Sequence, residues 1–218
     1  MANLSFAVTG ARAERHTAAP AITFRVRIRE AAGAHIHALL LRVAIRIQPR
    51  GRKYGALEQE RLGDLFGAAG RWTETVRPLL WSNTTLITAA FAGEVETDLG
   101  IPCTYDMEVA SAKYFNALDE GEIPLLFLFS GTVFARAENG FRVEQVPWEK
   151  EAAFRLPVQT WKDAMESHFP ECGWIRLRRS SLDALQRIKS REALFTWDDV
   201  IETLVNGKPI TREGQAVR

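Results

Sequence analysis

The chain has 218 residues and a formal net charge of +1, from 28 lysines and arginines against 27 aspartates and glutamates. Hydrophobic residues make up 46% of it and charged residues 25%, values typical of globular proteins that exclude a disordered or fibrous chain. The balanced charge predicts no overall attraction to nucleic acid or to an anionic membrane. The two cysteines, Cys103 and Cys172, form no CxxC pair, and the N-terminus does not resemble a signal peptide. We therefore expect a reduced, cytoplasmic protein without a disulfide framework.

The first third of the chain predicts β-strands. Residues 23–29 alternate between apolar residues and arginines, and residues 39–48 repeat this two-residue period. A glycine-bearing turn at residues 31–34 separates the two runs, which together predict an antiparallel hairpin with residues 4–8 as a neighbouring strand.

The middle of the chain predicts a short helical insertion, at about residues 56–67, followed by strands at residues 81–91 and 93–99. The last of these strands alternates acidic with apolar residues, which complements the arginine-bearing strand at residues 23–29. Two interpretations stay open: cross-strand ion pairs on one surface, or an anion-binding face. The charged residues concerned are Arg25, Arg27, Arg29, Glu94, Glu96 and Asp98.

The most apolar stretch is EIPLLFLFSGTVF, residues 122–134. Its apolar run is far shorter than the roughly 20 residues that span a bilayer, so we expect no membrane association. Turn residues at 119–122 and the Asn139-Gly140 pair predict that residues 123–136 and 141–146 form paired antiparallel strands. The nearly unbroken apolarity predicts that the first of these strands is central and covered on both faces.

The chain becomes helical after Pro157. Apolar residues at helical spacing predict a helix at residues 158–169, a second is expected to begin at Ser180 or Ser181, and Thr196 with Asp199 resembles a capping box for a third. We thus predict an α+β fold, with an antiparallel sheet or sandwich over about residues 1–150 and C-terminal helices packed on it. Residues 1–207 are expected to form a single domain, with a β-rich part (1–155), a helical part (156–207) and a frayed tail (208–218).

The sequence offers little catalytic chemistry. Ser130 lacks the glycine that a nucleophile elbow requires two positions before the serine, and no P-loop, G-x-G-x-x-G or H-E-x-x-H motif occurs. We identify no catalytic residue, expect no cofactor and favour a protein that is not an enzyme.

Two kinds of binding site have candidate residues in the sequence. His35 and His37, two apart on a predicted strand, are the nucleus of a candidate metal site that lacks an identified third ligand. A nucleic-acid interface is the further alternative, although the neutral net charge makes it the weaker one. Its basic residues are Arg176, Arg178, Arg179, Arg187, Lys189 and Arg191.

Three segments carry a resemblance to a known family: IPCTYDMEVASAKYFNALDEGEIPLLFLFSGTVF, VEQVPWEKEAAFRLPVQTWKDAM and GWIRLRRSSLDALQRIKSREALFTWDDVIETL. The chain resembles, from about Leu4 to Leu204, a bacterial domain-of-unknown-function family whose genes lie beside those of high-affinity, actinobacterial-type nickel-iron hydrogenases. This resemblance implies an accessory role in hydrogenase maturation, assembly or electron coupling, and it carries over no catalytic residue.

The segment HFPECGWIRLRRSSLDALQ is also similar in layout to the SecB export chaperone. The matching positions are Phe169, Pro170, Leu177, Asp183, Ala184 and Leu185. This likeness implies a β-sheet that holds extended polypeptide. We therefore expect a non-enzymatic, chaperone-like accessory protein with a protein partner, such as a hydrogenase subunit, and with tryptophans contributing to the contact surface.

Overall fold

A computed structural model describes residues 2–103, 109–137, 140–172, 175 and 177–206. Among these, the strands are β1 (Leu4–Glu14), β2 (Ala21–Glu30), β3 (His35–Ile47), β4 (Leu79–Thr88), β5 (Phe91–Ala92), β6 (Glu94–Pro102), β7 (Glu122–Ala137), β8 (Gly140–Val146) and β9 (Glu151–Pro157). The helices are α1 (Ala56–Arg61), α2 (Gly63–Phe66), α3 (Trp72–Thr75), α4 (Val109–Ala117), α5 (Val158–Glu166), α6 (Arg179–Arg191) and α7 (Trp197–Val205), with short 3₁₀ turns at Pro49–Gly51 and Ala69–Arg71.

The strands form two antiparallel sheets. The three-stranded sheet has the order β1-β2-β6, and the six-stranded sheet has the order β4-β3-β7-β8, with β5 paired to β3 and β9 paired to β7. Helix α4 lies against β4, and α5 lies against β1 and β2. The predicted α+β fold, built on antiparallel sheets with helices mainly toward the C-terminus, is confirmed.

Aromatic side chains join the inner faces of the two sheets. Phe24 of β2 contacts Phe127 of β7, with ring centroids 5.0 Å apart, and Phe6 of β1 stacks on Phe129 of β7 at 4.3 Å. Alternate residues of β3 from Leu39 to Ile47 are buried on the same inner face. The strict two-residue period of β2 and β3 therefore produces a sandwich, because each sheet needs the other to cover its apolar face.

The predicted hairpin between residues 23–29 and 39–48 is wrong. The first run belongs to β2 and pairs with β1 and β6, whereas the second belongs to β3 and pairs with β4, β5 and β7. Both runs have an apolar face, and these faces meet across the sandwich instead of lying side by side. Alternation predicts which face of a strand is buried, but not the sheet to which the strand belongs.

The crossing from one sheet to the other is held by Glu30, whose side chain is buried. Its carboxylate accepts hydrogen bonds from the backbone N–H groups of Asn3 (2.8 Å), Ala32 (2.9 Å) and Ala34 (2.7 Å). Burial alone would raise the pKa of this carboxyl, but the backbone donors outweigh it and hold the pKa below its usual value of 4.5. Glu30 thus ties the N-terminus and the β2–β3 connection together.

Strand β7 is central in the six-stranded sheet, as predicted. One edge pairs with β3 over most of its length, and the other edge pairs first with β9 and then with β8. The expectation of cover on both faces holds only in part, because Leu126, Leu128 and Phe134 on the outer face are half-buried. The β7–β8 hairpin is confirmed by the pairing of Arg136 with Phe141, whereas Asn139 lies outside the described residues.

Gly131 allows β7 to approach β3. Its φ is +148°, and an added Cβ would come within 2.1 Å of the Leu40 carbonyl oxygen. The β3–β7 register runs through this position without a shift, so Gly131 forms no β-bulge against β3. Glycine is required because the neighbouring backbone occupies the space of a side chain.

The predicted insertion near residues 56–67 contains α1 and α2, and it continues to α3. Sequence periodicity missed α4 and β9. A helix was expected at residues 158–169, and α5 confirms it over Val158–Glu166.

Contacts divide the chain after Cys172 into two compact units, so a single domain over residues 1–207 stays a prediction. The second unit contains α6 and α7, which contact each other. The capping box is confirmed: Asp199 N–H donates to Thr196 Oγ1 at 3.0 Å, and Thr196 N–H donates to the Asp199 carboxylate at 2.8 Å. Helix α6 begins at Arg179 without a side-chain cap, so neither Ser180 nor Ser181 caps it. Residues 207–218, which include the expected tail, lie outside the described residues.

Replacing Gly131 with alanine is expected to lower the free energy of unfolding by roughly 3 kcal/mol, because the Cβ overlaps the Leu40 carbonyl. Urea denaturation followed by tryptophan fluorescence measures the loss. Gly100→Ala in β6 is the matched control, since its Cβ would meet only Thr23 Oγ1 at 3.8 Å. Equal losses in the two variants would contradict the close-approach argument.

Replacing Glu30 with glutamine is expected to cost about 1–3 kcal/mol of unfolding free energy at neutral pH, because an amide supplies only one acceptor oxygen to the backbone donors. The carboxylate's pKa is lowered by folding, so its stabilising contribution is present at neutral pH and is lost as pH falls through that lowered value. The difference between wild type and Glu30→Gln should therefore shrink in acid. Denaturation at about pH 7 and about pH 3 tests this, with the exposed Glu60→Gln as control; a pH-independent difference would refute it.

Candidate functional site

The outer face of the three-stranded sheet carries a ladder of ion pairs. Strands β2 and β6 align Arg25 with Asp98, Arg27 with Glu96 and Arg29 with Glu94. Arg25 Nε lies 2.8 Å from Asp98 Oδ1, and Arg27 Nη2 lies 2.8 Å from Glu96 Oε1. The predicted cross-strand ion pairs are confirmed.

Strand β1 extends this ladder. Arg12 Nη2 lies 2.9 Å from Asp98 Oδ2, so Asp98 accepts from two arginines. Hydrogen bonds from Arg12 and Arg25 hold the pKa of the Asp98 carboxyl below its usual value. Carboxylates thus occupy Arg12, Arg25 and Arg27, whereas Arg29 is exposed and forms no ion pair within the described residues.

The outer face of the six-stranded sheet has a different character, because apolar side chains are exposed on β3, β4 and β8 and the half-buried Phe134 lies on β7 between β3 and β8. In one row Ile87 of β4 lies beside Leu40 of β3, and in the next row Phe134 of β7 lies beside Val143 of β8. Phe141, two residues before Val143, faces the same side. The exposed fractions are 68% for Ile87, 58% for Val143 and 59% for Phe141. We call these five residues, Leu40, Ile87, Phe134, Phe141 and Val143, the outer apolar patch.

The outer apolar patch reaches an unpaired sheet edge. Strand β8 pairs with β7 on one side, and no described strand pairs with its other side. Arg42 of β3 and Arg136 of β7 are exposed on the same outer face, and neither forms an ion pair within the described residues. An apolar surface beside a free strand edge and two unpaired cations can bind a polypeptide through side-chain burial, strand pairing and charge.

His35 and His37 lie at the start of β3, where both side chains are exposed. The β3–β7 register shifts between Ile36 and Ala38, which places His37 in the irregularity. The His37 ring packs against Phe141, with centroids 4.5 Å apart, so it borders the outer apolar patch. The part of the chain that the structure describes contains no group of three or more His, Cys, Asp or Glu side chains arranged to hold a metal ion. Metal binding by this pair stays a prediction.

Ser130 is exposed on β7 opposite Arg42. The strand continues beyond it to Ala137, so the sharp strand-to-helix turn of a nucleophile elbow does not occur here.

The two cysteines are free and differ in environment. Cys103 is buried, which raises the pKa of its thiol to about 12, whereas Cys172 is exposed. The ring nitrogens of His168 contact the carbonyl oxygens of Ala164 (3.1 Å) and Thr17 (2.9 Å).

The tryptophans do not build the candidate surface. Trp81 and Trp161 are core residues, and Trp72 packs partly buried against the core. Trp148 and Trp197 are exposed, and Trp174 lies outside the described residues. The exposed apolar surface consists mainly of aliphatic and phenylalanine side chains, a feature that counting tryptophans cannot reveal.

The basic C-terminal residues are partly engaged. Lys189 Nζ donates to the carbonyl oxygens of Leu194 (2.8 Å) and Phe195 (2.6 Å), which closes the connection between α6 and α7. Arg179 lies 3.5 Å from Asp183, and Arg191 lies 3.0 Å from Glu192. Arg178 and Arg187 are exposed, and Arg176 lies outside the described residues.

None of the described helices is both long enough and apolar enough to cross a bilayer.

Solved structures with some similarity to this chain are remote. The CARDB domain of a Pyrococcus furiosus protein, crystallised with di-metal ions, is 12% identical, with 72% of this chain and 92% of that chain covered and a TM-score of 0.28. The ApaA protein of Bordetella pertussis is 14% identical, with 71% and 93% covered and a TM-score of 0.30. For a β-glucosidase of Kluyveromyces marxianus the values are 8%, 71% and 15%, with a TM-score of 0.27. Similarities this weak indicate neither the fold nor the function of this chain.

No curated protein sequence matches the chain. The family of unknown function DUF6084 matches residues 1–213, and the chain therefore belongs to the DUF6084 family.

Proposed function

We propose that this protein is a non-enzymatic accessory protein that binds another polypeptide through the outer apolar patch. The observation that carries the proposal is the exposure of Ile87, Phe141 and Val143 on one sheet face. Each exposed apolar side chain gains roughly 1.5–3 kcal/mol when a partner covers it fully, so three of them can support a specific complex.

The free edge of β8 indicates the form of the bound segment. Strand β8 has an exposed outer edge and places Phe141 and Val143 on its outer face. An extended segment that adds to this edge gains main-chain hydrogen bonds, and its own apolar residues can extend the patch. We therefore propose that the partner presents an extended, apolar segment, in keeping with a chaperone-like role.

Charge adds a further requirement on the partner. Arg42 and Arg136 are exposed beside the patch without a carboxylate partner in the described part of the chain. Carboxylates flanking the apolar segment of the partner would pair with these arginines and orient the segment. The resemblance to a family encoded beside nickel-iron hydrogenase genes makes a hydrogenase subunit the first partner to test.

Substituting the exposed patch residues is expected to leave the fold intact. Val143→Glu and Ile87→Glu should each change the free energy of unfolding by no more than about 1 kcal/mol, because both side chains are mostly exposed. Val133→Glu is the contrasting variant, since Val133 is 2% exposed and its substitution places a charge in the core. Urea denaturation of the three variants measures the difference. A large loss in the first two variants would mean that the patch is structural.

Binding should depend on the same residues. In the native host, affinity capture after mild crosslinking is expected to recover hydrogenase subunits with the wild-type protein and at least tenfold less with the Ile87→Glu/Val143→Glu variant. This reduction corresponds to about 1.4 kcal/mol and lies within the value of one buried apolar side chain.

The matched control is Ser5→Glu/Thr9→Glu, which adds the same two charges at exposed positions of β1, on the other sheet and outside the outer apolar patch. It should capture as much as the wild type. Absence of hydrogenase subunits from the wild-type capture would contradict the partner assignment, and equal capture by the double variant would contradict the patch assignment.

A further inference from the structure

A cleft of about 520 Å³ opens on the first unit, where the 3₁₀ turn after β3 meets the start of β7 and the end of β9. Four cationic side chains and one carboxylate line it, together with two glycines. The lining residues are Arg50, Gly51, Arg52, Lys53, Gly121, Glu122 and Arg155. We call this the arginine cleft.

Arg52 is a fixed, buried cation in the arginine cleft. Its side chain is 8% exposed, and its Nη2 donates to both carboxylate oxygens of Glu58, at 2.7 and 2.9 Å, and to the Glu120 carbonyl at 3.1 Å. The guanidinium also lies over the Tyr54 ring, 5.0 Å from its centroid. These contacts hold the guanidinium in one position, so it need not be ordered again when a ligand binds.

One nitrogen of this guanidinium lacks a hydrogen-bond acceptor within the described residues. This nitrogen is Arg52 Nη1, and it is buried. A buried donor without an acceptor is unfavourable, especially on a charged group. Arg52 is itself among the residues that line the cleft, so its fixed positive charge acts on any ligand there.

The other cations of the cleft are scarcely neutralised. Arg50 donates only to the carbonyl oxygen of Glu74, at 3.2 Å, and Lys53 forms no ion pair in the described part of the chain. Arg155 has Glu122 as its carboxylate partner at 4.0 Å, the outer limit of an ion pair. The cleft therefore holds more positive charge than its own carboxylates balance.

Glycine keeps these cations together. A Cβ on Gly51 would come within 2.9 Å of Pro124 Cγ, so glycine lets the segment that carries Arg50, Arg52 and Lys53 lie directly on β7. Pro124 in turn pairs with Arg155 of β9. Residues from three distant parts of the sequence thus converge on one space.

We propose that the arginine cleft binds a phosphate group, carried either by inorganic phosphate or pyrophosphate or by a small phosphate monoester. Arginine forks donate paired hydrogen bonds to phosphate oxygens, and a dianion matches the surplus charge better than a single carboxylate does. No aromatic or large aliphatic side chain is among the seven lining residues, so the phosphate itself, not an attached base, is the recognised part.

The test is calorimetric titration of the full chain with inorganic phosphate, pyrophosphate and O-phosphoserine at low salt. Binding of any of the three is expected, and Lys53→Gln and Arg155→Gln should each weaken it at least fivefold. Binding should also weaken when salt is raised from about 50 to about 200 mM, as expected for a charge-dominated site.

The matched controls are Arg42→Gln and Arg46→Gln, which remove exposed arginines from β3 outside the cleft and should leave the affinity unchanged. No binding of any of the three ligands at millimolar concentration would overturn the proposal, as would equal weakening by cleft and control variants. Arg52 is left intact in the test, because its substitution would strand the buried Glu58 carboxylate. The relative affinities for pyrophosphate and O-phosphoserine show whether the bound phosphate carries an organic substituent.

Discussion

The architecture depends on β7, because the backbone groups on both of its edges need hydrogen-bond partners from neighbouring strands. Both edges of this sixteen-residue strand are paired over most of their length, with β3 along one edge and with β9 and then β8 along the other. Its inner face carries Phe127 and Phe129, the rings that meet Phe24 and Phe6 of the opposite sheet. This strand therefore positions β3, β8 and β9 by pairing, and it meets β1 and β2 through its aromatic contacts.

The two outer faces of the sandwich have contrasting chemistry. On the three-stranded sheet, Arg12, Arg25 and Arg27 pair with carboxylates across strands. Exposed ion pairs add little stability, so their main effect is to make that face polar and self-contained. On the six-stranded sheet the corresponding positions hold Leu40, Ile87 and Val143. The outer face of the three-stranded sheet is therefore well solvated, whereas the outer face of the six-stranded sheet gains free energy when a partner buries its apolar side chains.

The arginine cleft belongs to neither face. It is built where the insertion after β3 folds back onto the start of β7, and the Arg52–Glu58 pair fastens that insertion. Glu58 also accepts from the Asp119 backbone N–H at 3.0 Å, which links the insertion to the turn before β7. Tyr54 and Tyr114 share a hydrogen bond of 2.8 Å next to this network, and burial raises the pKa of Tyr54 to about 12. The tyrosines therefore stay neutral and act as fixed, uncharged support.

Local sequence patterns predicted those features that depend on neighbouring residues. Alternation located β2 and β6 and matched their charges, the Asn139-Gly140 signal marked the β7–β8 hairpin, and Thr196 with Asp199 marked the start of α7. The same patterns could not assign β2 and β3 to different sheets, because that choice depends on contacts between distant residues. They missed α4, whose residues lack a strong apolar stripe, and β9, which follows the exposed Trp148 segment.

The candidate sites show the same division. The parity of β3 places Leu40 on the outer face with Arg42 and Arg46, so one member of the outer apolar patch could be read from the sequence. Ile87, Phe134 and Val143 join it only through the pairing of four strands. The arginine cleft could not be predicted from local patterns, because Arg52 and Arg155 come together only through the folded insertion and the β7–β9 pairing.

The second edge of β7 pairs first with β9 and then with β8, and these two strands are expected to differ in local stability. Strand β9 buries Ala152 and Leu156, whereas β8 buries only Val146. Amide protons in β8 are therefore expected to exchange with solvent through a local opening that leaves the rest of the sandwich intact. Such an opening would uncover the β7 edge at Val133 and Ala135, and an incoming strand could then take the place of β8 instead of adding beside it. Strand β8 could thus be exchanged for a strand of a partner while the rest of the sandwich stays folded.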